Sequence, residues 1–214
     1  MIQMNRWLLI ISLFACALCA SAREYADTAV YQGLNVKLDV GTPVFELVRS
    51  GGKVQDYEAV INVRLAKRFY PTLEAGFAMA ECNRKDGYHN GKGGFGRVGL
   101  DLAVVKKGES ENNVLVGLRY GGAYQNYDLN NTIISGQMQL LQEVHQQPRF
   151  DCWGEIVAGC QVQVWKGFQM GWNVRMKLMF TRNATAGALP LYVPGFGYRK
   201  DFNWGFNYYI GYKF

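Results

Sequence analysis

Residues 202–214, Phe202-Asn203-Trp204-Gly205-Phe206-Asn207-Tyr208-Tyr209-Ile210-Gly211-Tyr212-Lys213-Phe214, alternate without a break. In an extended chain, successive side chains point to opposite faces, so the even positions share one face and the odd positions the other. The even face is wholly apolar or aromatic. The odd face is polar or small, apart from Tyr209. A strand with one fully apolar face needs an apolar medium on that side.

The same split recurs upstream. Phe168, Met170, Trp172, Val174, Met176, Leu178 and Phe180 oppose Gln169, Gly171, Asn173, Arg175 and Lys177, while Ile156, Ala158, Cys160, Val162 and Val164 oppose Glu155, Gly159, Gln161 and Gln163. Between them Trp165-Lys166-Gly167 reads as a short loop whose last position is left-handed, which glycine adopts without a Cβ penalty. Centring this hairpin on Lys166 sets Glu155 against Lys177 and Gln163 against Gln169. A second hairpin, centred on Phe69, sets Arg64 against Glu74, and a third sets Asp101 against Arg119.

With Leu34, Val36, Leu38 and Val40 as a first strand, the pattern predicts strands over 33–41, 57–66, 71–81, 95–105, 113–125, 152–164, 168–180 and 202–214. Connections then alternate between short turns and long loops, the latter at about 42–56, 82–94, 126–151 and 181–201. Residues 132–147 are compatible with a helix, a loop or additional strand. The expected fold is all-β: an eight-stranded antiparallel up-and-down transmembrane β-barrel over 33–214. A soluble lipocalin-like barrel is the alternative, but it would turn its larger apolar side chains inward.

Composition supports export. Arg6, the apolar run from Trp7 to Ala15 and Ala20-Ser21-Ala22 have the form of a signal peptide over 1–22, followed by an N-terminal segment 23–32. Leu13-Phe14-Ala15-Cys16 loosely imitates a lipoprotein signal, so lipidation at Cys16 is a minor alternative. The formal net charge of +6 falls by one when Arg6 leaves with the leader, and the cations are scattered. That excludes a nucleic-acid footprint. Cys82, Cys152 and Cys160 remain, an odd number with no metal-ligand spacing and no fixed disulfide scheme.

The chain resembles an uncharacterised family of small exported barrels from Bacteroidetes, a domain of unknown function. The matching stretches are Gly33-Leu34-Asn35-Val36, Leu65-Ala66-Lys67-Arg68-Phe69-Tyr70, Val116-Gly117-Leu118-Arg119-Tyr120-Gly121, Trp153-Gly154-Glu155-Ile156-Val157-Ala158-Gly159, Tyr192-Val193-Pro194-Gly195-Phe196 and Phe206-Asn207-Tyr208. The resemblance implies class and location and carries no activity. Separately, Tyr208, Tyr212 and the terminal Phe214 resemble the signal that barrel-assembly machinery reads, although Tyr209 stands where that signal commonly has glycine.

The candidate residues follow from these faces. Arg64, Glu74, Asp101, Arg119, Glu155, Arg175 and Lys177 are expected to form a charge network in the lumen. Tyr88, Tyr127, Tyr192 and Phe196 are candidates for contact with a surface ligand. No catalytic, cofactor-binding or metal-binding residue is assigned. A lipid-modifying barrel enzyme is the functional alternative, and it would draw on His145 near Glu143 and Ser135. The expected partners are outer-membrane lipid and assembly machinery, for a monomeric protein.

Overall fold

The computed structural model describes residues 31–65, 68–84, 87–104, 112–135, 138–181 and 189–214, and the signal-peptide reading of 1–22, with Cys16, lies outside them. Eight strands close into an antiparallel barrel in the order β1-β10-β7-β6-β5-β4-β3-β2. They are β1 (Tyr31–Asp39), β2 (Val54–Leu65), β3 (Phe69–Arg84), β4 (Gly87–Ala103), β5 (Asn113–Ser135), β6 (Met138–Trp165), β7 (Phe168–Met179) and β10 (Phe202–Lys213). Helix α1 (Gly41–Ser50) joins β1 to β2, and a two-stranded ribbon, β8 (Tyr192–Val193) with β9 (Gly197–Tyr198), lies between β7 and β10.

Closure follows the sequence pattern. β10 pairs with β7 on one side, Phe206 opposite Val174, and with β1 on the other, Asn35 opposite Lys213 and Asp39 opposite Tyr209. The β6–β7 hairpin has the expected register, with Glu155 opposite Lys177 and Gln163 opposite Gln169. A register shift between Gln163 and Trp165 absorbs the odd residue, and Gly167 takes φ 82° at the turn.

Two registers differ from the expectation. Glu74 faces Val60 rather than Arg64, because the β2–β3 turn closes at Leu65 opposite Phe69. Asp101 faces Gly117, placing Arg119 on the diagonal. Both shifts are even-numbered, so each side chain keeps its face.

The long connections also differ. Segments 82–94 and 126–151, read as loops, are mostly strand: β3 and β4 pair up to Arg84 and Gly87, and β5 and β6 up to Ser135 and Met138. The uncertain stretch 132–147 therefore extends the barrel's own strands and adds none. Connection 42–56 contains α1 and the start of β2, and strand β1 begins at Tyr31, inside the expected N-terminal segment.

The reason lies in a polarity change along the barrel axis. In the lower half, outward positions are apolar and exposed, among them Ile61, Leu73, Val98, Val116, Leu118, Ile156 and Val174, while inward positions include buried Asn62, Thr72, Glu74, Asp101, Arg119, Gln161 and Gln169. In the upper half, outward positions become polar, with Gln55, Glu81, Asn83, Asn90, Lys92 and Asn126 exposed. Inward positions there are mixed: Val54, Ala78, Ala80, Cys82, Ala123, Tyr127 and Leu129 are buried together with Asp56, His89, Gln125 and Asp151. Alternation persists, but the outward face changes from apolar to polar.

Gly167 fixes the best-determined hairpin. Its positive φ is strained for any L side chain, and a Cβ there would meet Tyr212 Cζ at 2.8 Å and the Lys213 carbonyl oxygen at 3.0 Å. Gly167→Ala is expected to lower unfolding stability by about 1–3 kcal/mol, read as a reduced urea midpoint, whereas Lys166→Ala at the same turn should leave the midpoint within error.

Candidate functional site

The lumen holds one continuous ion network. Glu74 on β3 sits at its centre and accepts from three arginines: Arg175 at 2.6 Å, Arg97 at 3.0 Å and Arg119 at 3.0 Å. Arg97 reaches Glu58 at 2.6 Å and its Nε lies 2.9 Å from Glu155 as an ion pair. Arg175 also pairs with Glu58 at 3.0 Å and with Glu155 at 3.1 Å, while Arg119 pairs with Asp101 at 2.7 Å. All seven side chains are at least nine-tenths buried.

The expected members Glu74, Asp101, Arg119, Glu155 and Arg175 are thus brought together, but two are not. Arg64 lies nearer the turn end, four residues from the position that faces Glu74. Lys177 turns from Glu155 to donate to the backbone oxygens of Gly195 at 2.7 Å and Phe196 at 3.4 Å. Three members are additional to that expected set: Glu58, Arg97 and Tyr209. Tyr209 donates to Glu58 at 2.9 Å and accepts from Arg175. All three stand in phase with the inward face, which was the available signal; Tyr209 is the large side chain that broke the small-or-polar rule of its strand.

Above the network the β8–β9 ribbon plugs the barrel. Phe196 and Val193 pack with Phe95, Ala123, Trp153 and Met179, and Tyr192 packs with Val54, Ala78, Ala80 and Cys82. The tip is held by charge, since the Gly195 carbonyl accepts from both Arg97 at 2.6 Å and Lys177. Gly195 takes φ 70°, and a Cβ there would meet the Phe95 ring at 2.6 Å. Tyr192 donates to Asp56 at 3.2 Å.

This corrects the reading of the contact candidates. Tyr192, Phe196 and Tyr127 are buried, at 4%, 1% and 4% exposure, because an eight-stranded mouth needs large side chains to fill it. Tyr88 is half-buried. Near Tyr127, His89 is fully buried, its ring 5.9 Å from the tyrosine ring, and neither nitrogen has a hydrogen-bond partner among the described residues. Burial pushes its pKa down to about 4, which keeps the imidazole neutral at ordinary pH. The side chains of Ser135, Glu143 and His145, on which the enzyme alternative draws, lie outside the described residues.

Two voids flank the network. Below it, a cavity of about 40 Å³ is lined by Lys37, Asn62, Glu74, Asp101, Arg119 and Gln169. That is room for a few waters. Above it, a mouth cavity of about 310 Å³ is bounded by α1, the plug and β10. The ion network separates the two, so this geometry suits a sealed scaffold better than a conduit.

A buried carboxylate that satisfies three guanidiniums leaves uncompensated charge when removed, which costs about 3–5 kcal/mol. Glu74→Gln is expected to lose stability on that scale. Arg175→Met in the Glu74→Gln background should cost much less than Arg175→Met alone, with a coupling above about 1 kcal/mol in a double-mutant cycle of unfolding free energies. Strict additivity would contradict the network.

One family matches this sequence: a domain of unknown function (DUF6048), whose model covers residues 1–214. No curated protein matches it.

Proposed function

The chain belongs to the DUF6048 family, and for this member we propose a non-enzymatic outer-membrane barrel, exported by its leader and anchoring upper hairpins at the cell surface. The observation that carries the proposal is the change in outward polarity along the axis. In the lower half the outward face is apolar around a charged lumen; in the upper half the outward face turns polar. A barrel in water throughout has no reason to change sense part-way up. A barrel whose lower half meets lipid and whose upper half meets water requires it.

Three further features support the reading. Outward positions of a strand span a bilayer in about 9–11 tilted residues, and β10 keeps an apolar outward face from Phe202 to Phe214. Aromatic side chains collect at both levels: Tyr57, Tyr120, Tyr124, Phe150, Phe180, Phe202 and Trp204 at the upper boundary, and Tyr31, Trp165, Tyr212 and Phe214 at the lower. Those are the positions of interfacial girdles. A soluble lipocalin-like barrel would instead leave this whole belt in water, far beyond the apolar patch a monomer tolerates.

The terminal Tyr208, Tyr212 and Phe214 on the outward face fit recognition by barrel-assembly machinery, and a closed barrel with paired edges fits a monomer. Surface recognition then belongs to the projecting β3–β4 and β5–β6 hairpins rather than to Tyr127, Tyr192 or Phe196. β5 and β6 run for 23 and 28 residues, more than twice the length a bilayer needs.

Fractionation tests the proposal. The mature chain is expected in the detergent-extracted outer-membrane fraction, migrating faster on a gel when unheated than when boiled. Recovery from the soluble periplasm without detergent would refute it.

A further inference from the structure

Strand β1 stops at Asp39, opposite Tyr209, while its neighbours continue upward to Val54 on β2 and Phe202 on β10. The wall therefore has a notch one strand wide. Helix α1 lies across it, packed on both β2 and β10. Its first turn is tied to β10 where Thr42 Oγ1 donates to the Phe206 carbonyl at 3.4 Å, and its last turn to β2 where Ser50 Oγ accepts from the Val54 amide at 2.9 Å. The first attachment sits at the level of the upper aromatic girdle, at Phe206, and the second at the upper end of β2.

The helix leaves apolar side chains uncovered. Thr42, Phe45, Glu46 and Arg49 line the mouth cavity, while Val44, Leu47 and Val48 form one stripe outside that lining and are 61%, 61% and 82% exposed. Elsewhere the upper exterior is largely polar, so this stripe is an apolar patch with none of the described residues over it. It continues the apolar belt of β10 at the height where that belt ends.

Cations gather at the same place. Arg49, Lys53 and Lys200 line a cavity of about 330 Å³ with Ser50, Glu81 and Tyr198, at the C-terminal end of α1. The Arg49 guanidinium is held over the rings of Phe45 and Tyr198, at 5.9 and 5.7 Å. Against these three cations stand Glu81 in this cavity and Glu46 on the mouth side, which leaves one positive charge in excess. An apolar stripe with a cationic, ring-braced pocket beside it has the two-part chemistry of an anionic lipid: chains for the stripe, a phosphate for the pocket.

Resting on the bilayer reading above, we infer that α1 is an interfacial helix forming a binding site for one anionic phospholipid. The acyl chains lie on Val44, Leu47 and Val48, and the phosphate is held by Arg49, Lys53 and Lys200. The lipid closes the notch left by β1 from outside, as the plug closes the mouth from above.

A probe on the stripe reports both parts. The chain, with its other cysteines changed to serine and Val48→Cys carrying an environment-sensitive fluorophore, is reconstituted in phosphatidylcholine vesicles. The vesicles contain chain-spin-labelled phosphatidylglycerol or chain-spin-labelled phosphatidylcholine. Quenching at position 48 should favour phosphatidylglycerol roughly fivefold, the factor expected of one excess cation near a membrane surface. The preference should fall towards one when Arg49→Gln, Lys53→Gln and Lys200→Gln are combined, with quenching of Trp172 and Trp204 unchanged. Equal quenching by both lipids, or none at position 48 while Trp172 and Trp204 are quenched, overturns the site and leaves the bilayer reading standing. No quenching of the tryptophans refutes the bilayer reading itself and the site with it.

Discussion

The contact of Glu74 with three arginines is the constraint around which this barrel is built. A carboxylate and three guanidiniums cannot be taken out of water unless every charge finds a partner, and several kcal/mol per ion are lost when it does not. Glu58, Asp101 and Glu155 supply the remaining carboxylates, and Tyr209 and Trp153 fill the last donor positions around them. These groups come from β2, β3, β4, β5, β6, β7 and β10, so the network can form only when the sheet is closed in the correct register. A one-residue slip of any strand would turn its charges outward. The ion network thus specifies the fold as well as occupying its interior.

Its consequence is carried outward by the period of the strand. Once alternate residues are committed to charge inside, the intervening ones must meet whatever lies outside, and in the lower half they are Leu, Val, Ile, Phe and Trp. Where the network ends, so does the arrangement: the ribbon carrying Val193 and Phe196 enters the mouth and the outward face becomes polar. Lys177 and Arg97 join the two regimes, since both donate to the Gly195 carbonyl at the tip of the plug. The barrel is therefore two environments stacked on one axis, with α1 at their boundary.

Much of this was legible in the sequence, and each departure has its own physical cause. The β6–β7 hairpin was read to the residue because Gly167 marks the turn and both faces agree in polarity. The β2–β3 hairpin keeps its faces but not its expected register, since the Ala66-Lys67-Arg68 stretch offers no glycine to locate the turn, and centring it on Phe69 sets Arg64 against Glu74. Segments 82–94 and 126–151 do not look like strand in the sequence because their outward positions are polar: Cys82, His89, Gly91 and Gly93 face inward while Glu81, Asn83, Asn90 and Lys92 face out. A reading tuned to an apolar exterior does not register that pattern as strand. Tyr192 and Phe196 were read as surface contacts because burial by a plug depends on the mouth's width, which appears only after closure.

The central claim is that the even positions of β10 face lipid and the odd positions face the closed lumen. Single spin labels placed at each position from 203 to 213, in a cysteine-free background in bilayers, measure this directly through collision with oxygen and with a water-soluble nickel complex. Oxygen accessibility should rise and fall with period two, high at 204, 206, 208, 210 and 212, with little nickel accessibility at those positions. Flat oxygen profiles, or high nickel accessibility at the even positions, would contradict the account.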